Sequence, residues 1–210
     1  HGDVTSFDSA RSVFKRAITR IEAAKKHFVL DGYVTDHVTL LCDHSKLYHT
    51  LANFETEVKR RLAMEKRRID MLSPLLKTLS NKAYEDLVKG IAYELGECAL
   101  GMLDVKLDKL RSKDPMREIN EMRLKKTEII NCNEYSRIAI AMLAHFTHMY
   151  APVPPTVVSR QPNSWKDFES MTLAEVSNLA CTTPDKSLIS EEEVRPFLNA
   201  HFLTCRVLSK

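Results

Sequence analysis

A chain of 210 residues with 44% hydrophobic content is long enough to bury one or two real cores, which excludes disorder along its whole length. Its formal net charge of +3 is a mild excess of 31 basic over 28 interspersed acidic residues, so composition gives no reason to expect a nucleic-acid partner. With only 5 glycines, 7% aromatics and long runs rich in Leu, Ala, Lys, Glu and Arg, the predicted fold class is all-α, because unbranched side chains lose little rotamer freedom in a helix.

The first helix is predicted from near Asp8 to Leu30, with Phe14, Ala17, Ile18, Ile21 and Phe28 on one face. Asp31-Gly32 stops it, and Thr35 or Asp36 is the expected cap of the next helix, completing a helical hairpin. A second helical stretch spans Asp36 to Leu72, with or without a break near Phe54; Val38, Leu41, Ser45, Tyr48, Ala52, Val58, Leu62, Ile69 and Leu72 recur at helical spacing. Glu55 with Lys59 and Glu57 with Arg61 are expected as solvent-side pairs, and Ser73-Pro74 as an end or a kink. A third helix, capped by Asn81 and reaching about Leu110, buries Leu87, Ile91, Leu95, Cys98, Met102 and Val105. Gly90, Gly96 and Gly101 interrupt it at a cost of about 1 kcal/mol each relative to alanine, which predicts compensation by a closely approaching helix.

Lys113-Asp114-Pro115 reads as a stop and restart before Tyr135 to Tyr150, whose Ile138, Met142, Leu143 and Phe146 are core candidates. Proline density from Pro152 to Pro155 marks a linker. The predicted organisation is a helical-repeat array over 1–150, a proline-rich linker over 151–163 and C-terminal helices over 164–210. Within the last part, Ser164 to Ala180 holds one or two short helices and Thr182 to Asp185 a turn. Ser190 and Glu193 have capping-box spacing ahead of a final helix whose apolar stripe is Phe197, Ala200, His201, Phe202, Cys205 and Leu208, a stripe in want of a partner. Helix pairs joined by short turns predict a solenoid of irregular repeats.

No catalytic, cofactor or metal site is expected. Asp36, His37, Asp43, His44 and His49 are rich in ligand types, but His37 and His44 stand about 10 Å apart along a helix, whereas zinc ligands must all reach one ion at about 2.0 to 2.3 Å. No nucleophile elbow, glycine-rich phosphate loop or nucleotide fingerprint is present. Cys42, Cys98, Cys132, Cys181 and Cys205, without a Cys-x-x-Cys, are expected as reduced core thiols of a cytosolic protein. The methionines are read as core filling. The most apolar stretch, Ile138 to Phe146, is about half a bilayer span, so a soluble protein without membrane insertion is expected. The start at His1-Gly2, without an initiator Met, predicts a fragment that lacks neighbouring repeats.

The basic triplets Lys59-Arg60-Arg61 and Lys66-Arg67-Arg68 repeat at a seven-residue spacing, so equivalent charges recur on nearly the same helix faces. They read either as a solvated face balanced by Glu55, Glu57, Glu65 and Asp70 or as a secondary basic surface for an acidic partner or RNA, though the stretch lacks aromatics for base stacking.

Asp31-Gly-Tyr-Val-Thr-Asp-His37, Asp43-His-Ser45, Phe54-Glu55, Arg60-Arg61, Lys66-Arg-Arg-Ile69 and Met71-Leu-x-Pro-Leu75 stand in order, and this succession resembles the C-terminal half of the kinesin-binding protein family. The match is densest from Phe28 to Leu79 and continues more loosely through Asn81 to Leu110, Ile130 to Phe146 and Val194-Arg-Pro196. The resemblance implies a tetratricopeptide-like solenoid of antiparallel helix pairs without enzymatic activity. It further implies a cytoplasmic, cytoskeleton-associated regulator that binds kinesin motor domains and keeps them off microtubules, with other cytoskeletal proteins as further partners. Consequences for axon development, differentiation, spindle behaviour and mitochondrial transport would follow from motor control. The implied interaction surface is Asp31, Gly32, Tyr33, Thr35, Asp36, His37, Asp43, His44, Ser45 and His49. A motor surface that grips acidic microtubules is itself basic and would be repelled by Arg60, Arg61, Arg67 and Arg68, so acidic and polar groups on the turns are the expected motor contacts. The alternatives are a general helical scaffold and an RNA-binding helical domain using Lys59 to Arg68.

Overall fold

Among the described residues, Phe7–His27 (α1), Val34–Ala52 (α2), Val58–Thr78 (α3), Glu85–Arg111 (α4), Lys126–His148 (α5) and Val194–Leu208 (α6) are the long helices, with a 3-10 turn at Lys186–Leu188. The structure, a computed structural model, describes residues 4–117, 123–150, 172, 174–175 and 186–209, and no strand occurs among them. The expected linker at 151–163, most of the segment at 164–180, the turn at 182–185 and Cys181 lie outside the described residues. The chain divides into two units, one up to Leu75 and one from Leu76 onward.

In the first unit, Ser6 caps α1 by accepting the Ser9 N–H at 3.3 Å, while Ser9 Oγ accepts the Ser6 N–H at 3.2 Å. The helix stops at His27 rather than Leu30, and Gly32 takes φ +104° in the turn that follows, a conformation costly for any residue with a Cβ. Because α2 already begins at Val34, Thr35 and Asp36 lie inside its first turn and do not cap it; Tyr33 occupies the cap position without a side-chain bond. A break at 53–57 separates α2 from α3. Glu55 turns back within it to accept the Glu57 N–H at 2.9 Å, which removes it from the expected pair with Lys59. Arg60 serves both acids instead, 2.9 Å from Glu57 and 3.6 Å from Glu55. Pro74 does not end α3, which continues to Thr78, because a proline deletes a single helical hydrogen bond and packing can outweigh that loss.

In the second unit, α5 packs against both α4 and α6. Val88, Ile91, Leu95, Leu103, Ile140, Met142 and Leu143 are almost wholly removed from solvent and form the centre of this core. The close approach expected of the glycines is met at Gly96, where a Cβ would lie 2.8 Å from Leu143 Cγ and Cδ2; at Gly90 it would meet nothing within 4 Å. Asn81 sits in the turn before α4 and Tyr84 takes the cap position, while Asp114 and Pro115 lie in the turn after it and the next described helix begins at Lys126. On α6 the buried face is Phe197, Ala200, Leu203, Thr204 and Val207. Phe202, Cys205 and Leu208 of the expected stripe are exposed, as are Val194 and Leu198, because α6 carries apolar residues on two faces and only one meets α5. Among the described cysteines Cys98 alone is buried.

Candidate protein-binding site

The residues singled out between Asp31 and His49 separate into an exposed set and a packed set. Asp31, Gly32, Tyr33, Thr35, Asp36, Asp43 and His49 are exposed. Asp36 and Asp43 stand seven residues apart, so they share one face of α2, with Thr39 and Lys46 on the same stripe. Asp31 and Asp36 form no ion pair among the described residues; Asp43 meets Lys46 at 3.8 Å, an exposed contact worth little. The result is an acidic, solvated edge running from the α1–α2 turn along α2.

The packed set holds that edge in place. His37 Nδ1 donates to the Phe28 carbonyl at 2.7 Å, satisfying an acceptor just past the end of α1. Tyr33 stacks edge-on against Phe28 with ring centroids 5.5 Å apart. His44 is buried, lies parallel to Tyr48 at 5.3 Å and reaches Glu22 of α1 at 3.5 Å. Burial, aided by the Lys25 charge, lowers its pKa against the opposing pull of Glu22. Ser45 has no exposed surface and accepts from Arg68 Nε at 3.0 Å.

Arg68 is accordingly no part of a basic surface: it is 3% exposed and ties α3 to α2. Its guanidinium donates to Glu65 at 2.6 Å and to His49 Nδ1 at 3.0 Å. A guanidinium only donates, so Nδ1 of His49 accepts and its proton sits on Nε2. Burial opposes the ionisation of Glu65, but the charge and hydrogen bond of Arg68 hold its pKa below the usual value. Lys59, Arg60, Lys66 and Arg67 are exposed and Arg61 is half-buried.

The second unit contains a groove of about 470 Å³ that no motif in the sequence announced. Tyr93, Phe146 and Tyr150 form its aromatic wall, with Lys89 and Gly90 of α4 and Arg195 and Pro196 of α6 at its edges. Glu193 fastens the start of α6 here. One of its oxygens accepts from Ser190 N–H and Oγ at 3.1 and 2.7 Å, and the other accepts from Tyr150 OH at 2.8 Å, with Lys89 Nζ 3.5 Å away. These donors, Ser190 foremost, pull the Glu193 pKa down to about 2. Lys89 also lies 4.4 Å over the Tyr150 ring. Such a groove can receive an apolar side chain, and its carboxylate is pinned by donors rather than poised to exchange a proton. The capping-box spacing of Ser190 and Glu193 was the local signal; Tyr150 and Lys89 join only through tertiary packing. Among the described residues, no group of three His, Cys, Asp or Glu could hold a metal ion and no helix is long and apolar enough to cross a membrane.

Comparison with known proteins agrees along the chain. The family model described as KIF-1 binding protein C terminal matches residues 1–210. The KIF-binding protein of Danio rerio is 42% identical over 111 residues, covering 51% of this chain and 18% of that protein. That of Xenopus tropicalis is 43% identical over 101 residues, 48% of this chain and 16% of that protein. The Homo sapiens KIF-binding protein is 39% identical over 121 residues, 55% of this chain and 20% of that protein. The chain spans about a fifth of the length of these relatives. No solved structure matches it.

Proposed function

From the premise that the chain belongs to the KIF-1 binding protein C-terminal family, we propose that it is a non-enzymatic regulator that binds kinesin motor domains and keeps them from microtubules. The family match over the whole chain is the observation that carries this reading. The acidic edge of Asp31, Asp36 and Asp43 supports it physically, since a motor face complementary to acidic microtubules is drawn to exposed carboxylates and repelled by arginines. The packing of α1 on α2 and of α5 on both α4 and α6 is in keeping with tetratricopeptide-like pairs, in which turns and inter-helix faces present the partner surface. In this reading the protein acts in the cytoplasm beside the cytoskeleton.

The test is a pull-down of the chain against a panel of purified kinesin motor domains, followed by microtubule co-sedimentation of every motor retained. Selective capture that lowers the sedimented motor fraction is expected, and Asp31→Lys with Asp36→Lys and Asp43→Lys should abolish capture while leaving helicity unchanged. Capture of no motor by the folded chain would refute the reading and leave this region as a scaffold element.

A further inference from the structure

We propose that a cleft between α1 and α3 in the first unit binds a short acidic peptide segment, a partner class opposite in charge to a motor's track-facing surface. The cleft has a volume of about 360 Å³. Arg11 of α1 and Arg60 and Arg67 of α3 converge on it, against the single carboxylate of Glu55. Phe7, Ala63 and Met64 supply its apolar lining.

The guanidinium groups differ in how far they are already satisfied. Arg60 is engaged by Glu57 at 2.9 Å and by Glu55 at 3.6 Å. Glu55 is buried and receives the Glu57 N–H, so it serves as an internal anchor that holds Arg60 at the cleft. Arg11 makes no hydrogen bond or ion pair among the described residues, and Arg67 has only the Tyr48 hydroxyl at 3.4 Å and the Tyr48 ring at 5.8 Å. Two exposed arginines are thus left with their forked donors available for carboxylates, the group their planar geometry fits in a bidentate manner.

Spacing narrows the ligand further. Arg60, Ala63, Met64 and Arg67 follow the i, i+3, i+4, i+7 pattern of one helix face, so the seven-residue repeat of the basic triplets places their central arginines on the same side of α3. Seven residues of helix rise about 10 Å. Three residues of polyproline II chain, at about 3.1 Å each, cover nearly the same distance and return to the same side, so two acidic residues separated by two apolar ones would meet both arginines with the intervening side chains beside Ala63 and Met64. A nucleic acid fits less well. Sequence-tolerant binding of single strands needs open aromatic faces, whereas the Tyr48 ring is already flanked by Phe14 at 4.9 Å, His44 at 5.3 Å and the Arg67 guanidinium.

The experiment measures fluorescence anisotropy of a labelled peptide Gly-Glu-Leu-Ala-Glu-Gly with the full chain, beside the same peptide carrying Gln for Glu, a labelled single-stranded RNA of equal length, and inorganic phosphate as competitor. Binding of the Glu peptide alone is expected, weakening as salt rises past the point where the Debye length falls to a few Å. Arg11→Glu and Arg67→Glu should each weaken it about tenfold or more, as loss of a charge-assisted contact replaced by repulsion requires. The Arg20→Glu, Lys26→Glu double variant, which reverses exposed charges elsewhere on α1, should leave it within about twofold of the parent. Arg11→Gln and Arg67→Gln, which remove charge without adding repulsion, should fall between, with helicity confirming the fold. Equal binding of the Gln peptide, tighter binding of RNA, insensitivity to both arginine reversals, or no binding at millimolar peptide would each overturn the proposal. Kinesin is absent from the assay, so its outcome is independent of the motor-binding reading.

Discussion

Gly90→Ala and Gly96→Ala are the same chemical change in the same helix, and they should move stability in opposite directions. In an isolated helix each gains about 1 kcal/mol, because alanine has less backbone freedom to lose than glycine. At Gly90 the new methyl meets nothing within 4 Å, so roughly 0.5 to 1 kcal/mol of that gain should survive. At Gly96 it would sit 2.8 Å from Leu143 Cγ and Cδ2, about 1 Å inside a favourable carbon–carbon separation. Leu143 is 0% exposed and packed on every side, and its Cγ is not a freely swinging tip, so relief requires α4 and α5 to separate. Overpacking of this kind costs about 1 to 3 kcal/mol, which after the propensity gain leaves Gly96→Ala destabilised by roughly 0 to 2 kcal/mol. Urea denaturation followed by circular dichroism should therefore place the midpoints in the order Gly90→Ala, parent, Gly96→Ala. A Gly96→Ala midpoint at or above that of Gly90→Ala would show that α4 and α5 do not approach as closely as described, and the reasoning would fail.

Arg68→Ala should cost about 3 to 5 kcal/mol, because it removes the cation that faces the buried Glu65 carboxylate at 2.6 Å, whereas its exposed neighbour Arg67→Ala should change stability by less than about 1 kcal/mol; equal denaturation midpoints for the two variants would contradict the burial of Arg68. His145 is buried in α5, and desolvation, aided by the His148 charge, lowers its pKa to about 4. Its folded pKa lies below the unfolded value, so the unfolded chain binds the proton first, and the stability that depends on a neutral His145 is complete above pH 6.5 and lost as pH falls towards 4. The shift corresponds to about 3 kcal/mol at one proton per site, and an imidazole resonance of His145 that titrated near 6.5 in the folded protein would exclude it.

Much of this protein is legible without coordinates, and the reason is local. Helix content follows from composition, the α1–α2 hairpin from Asp31-Gly32, the buried face of α4 from Ile91, Leu95, Cys98 and Met102 at helical spacing, and the family from ordered short motifs. Each of these depends on residues within a few turns of one another. Tertiary packing decided what periodicity leaves degenerate. A helix such as α6, apolar on two sides, gives no local sign that Phe197 and Val207 rather than Phe202 and Leu208 will be covered; that depends on which face meets α5. Adjacent arginines read alike as charges, yet a step of 100° around α3 buries Arg68 against Ser45 and His49 and leaves Arg67 at an open cleft. Glu193 reads as a helix cap, and only the return of α6 onto α4 and α5 gives it Tyr150 and Lys89. Sequence by itself determined that the chain is helical and which family it belongs to, because hydrogen bonding and propensity act over neighbouring residues; the fold alone decided that α2 and α3 part at 53–57, which charges are buried anchors and which remain available to a partner, because desolvation depends on surfaces brought together from distant parts of the chain.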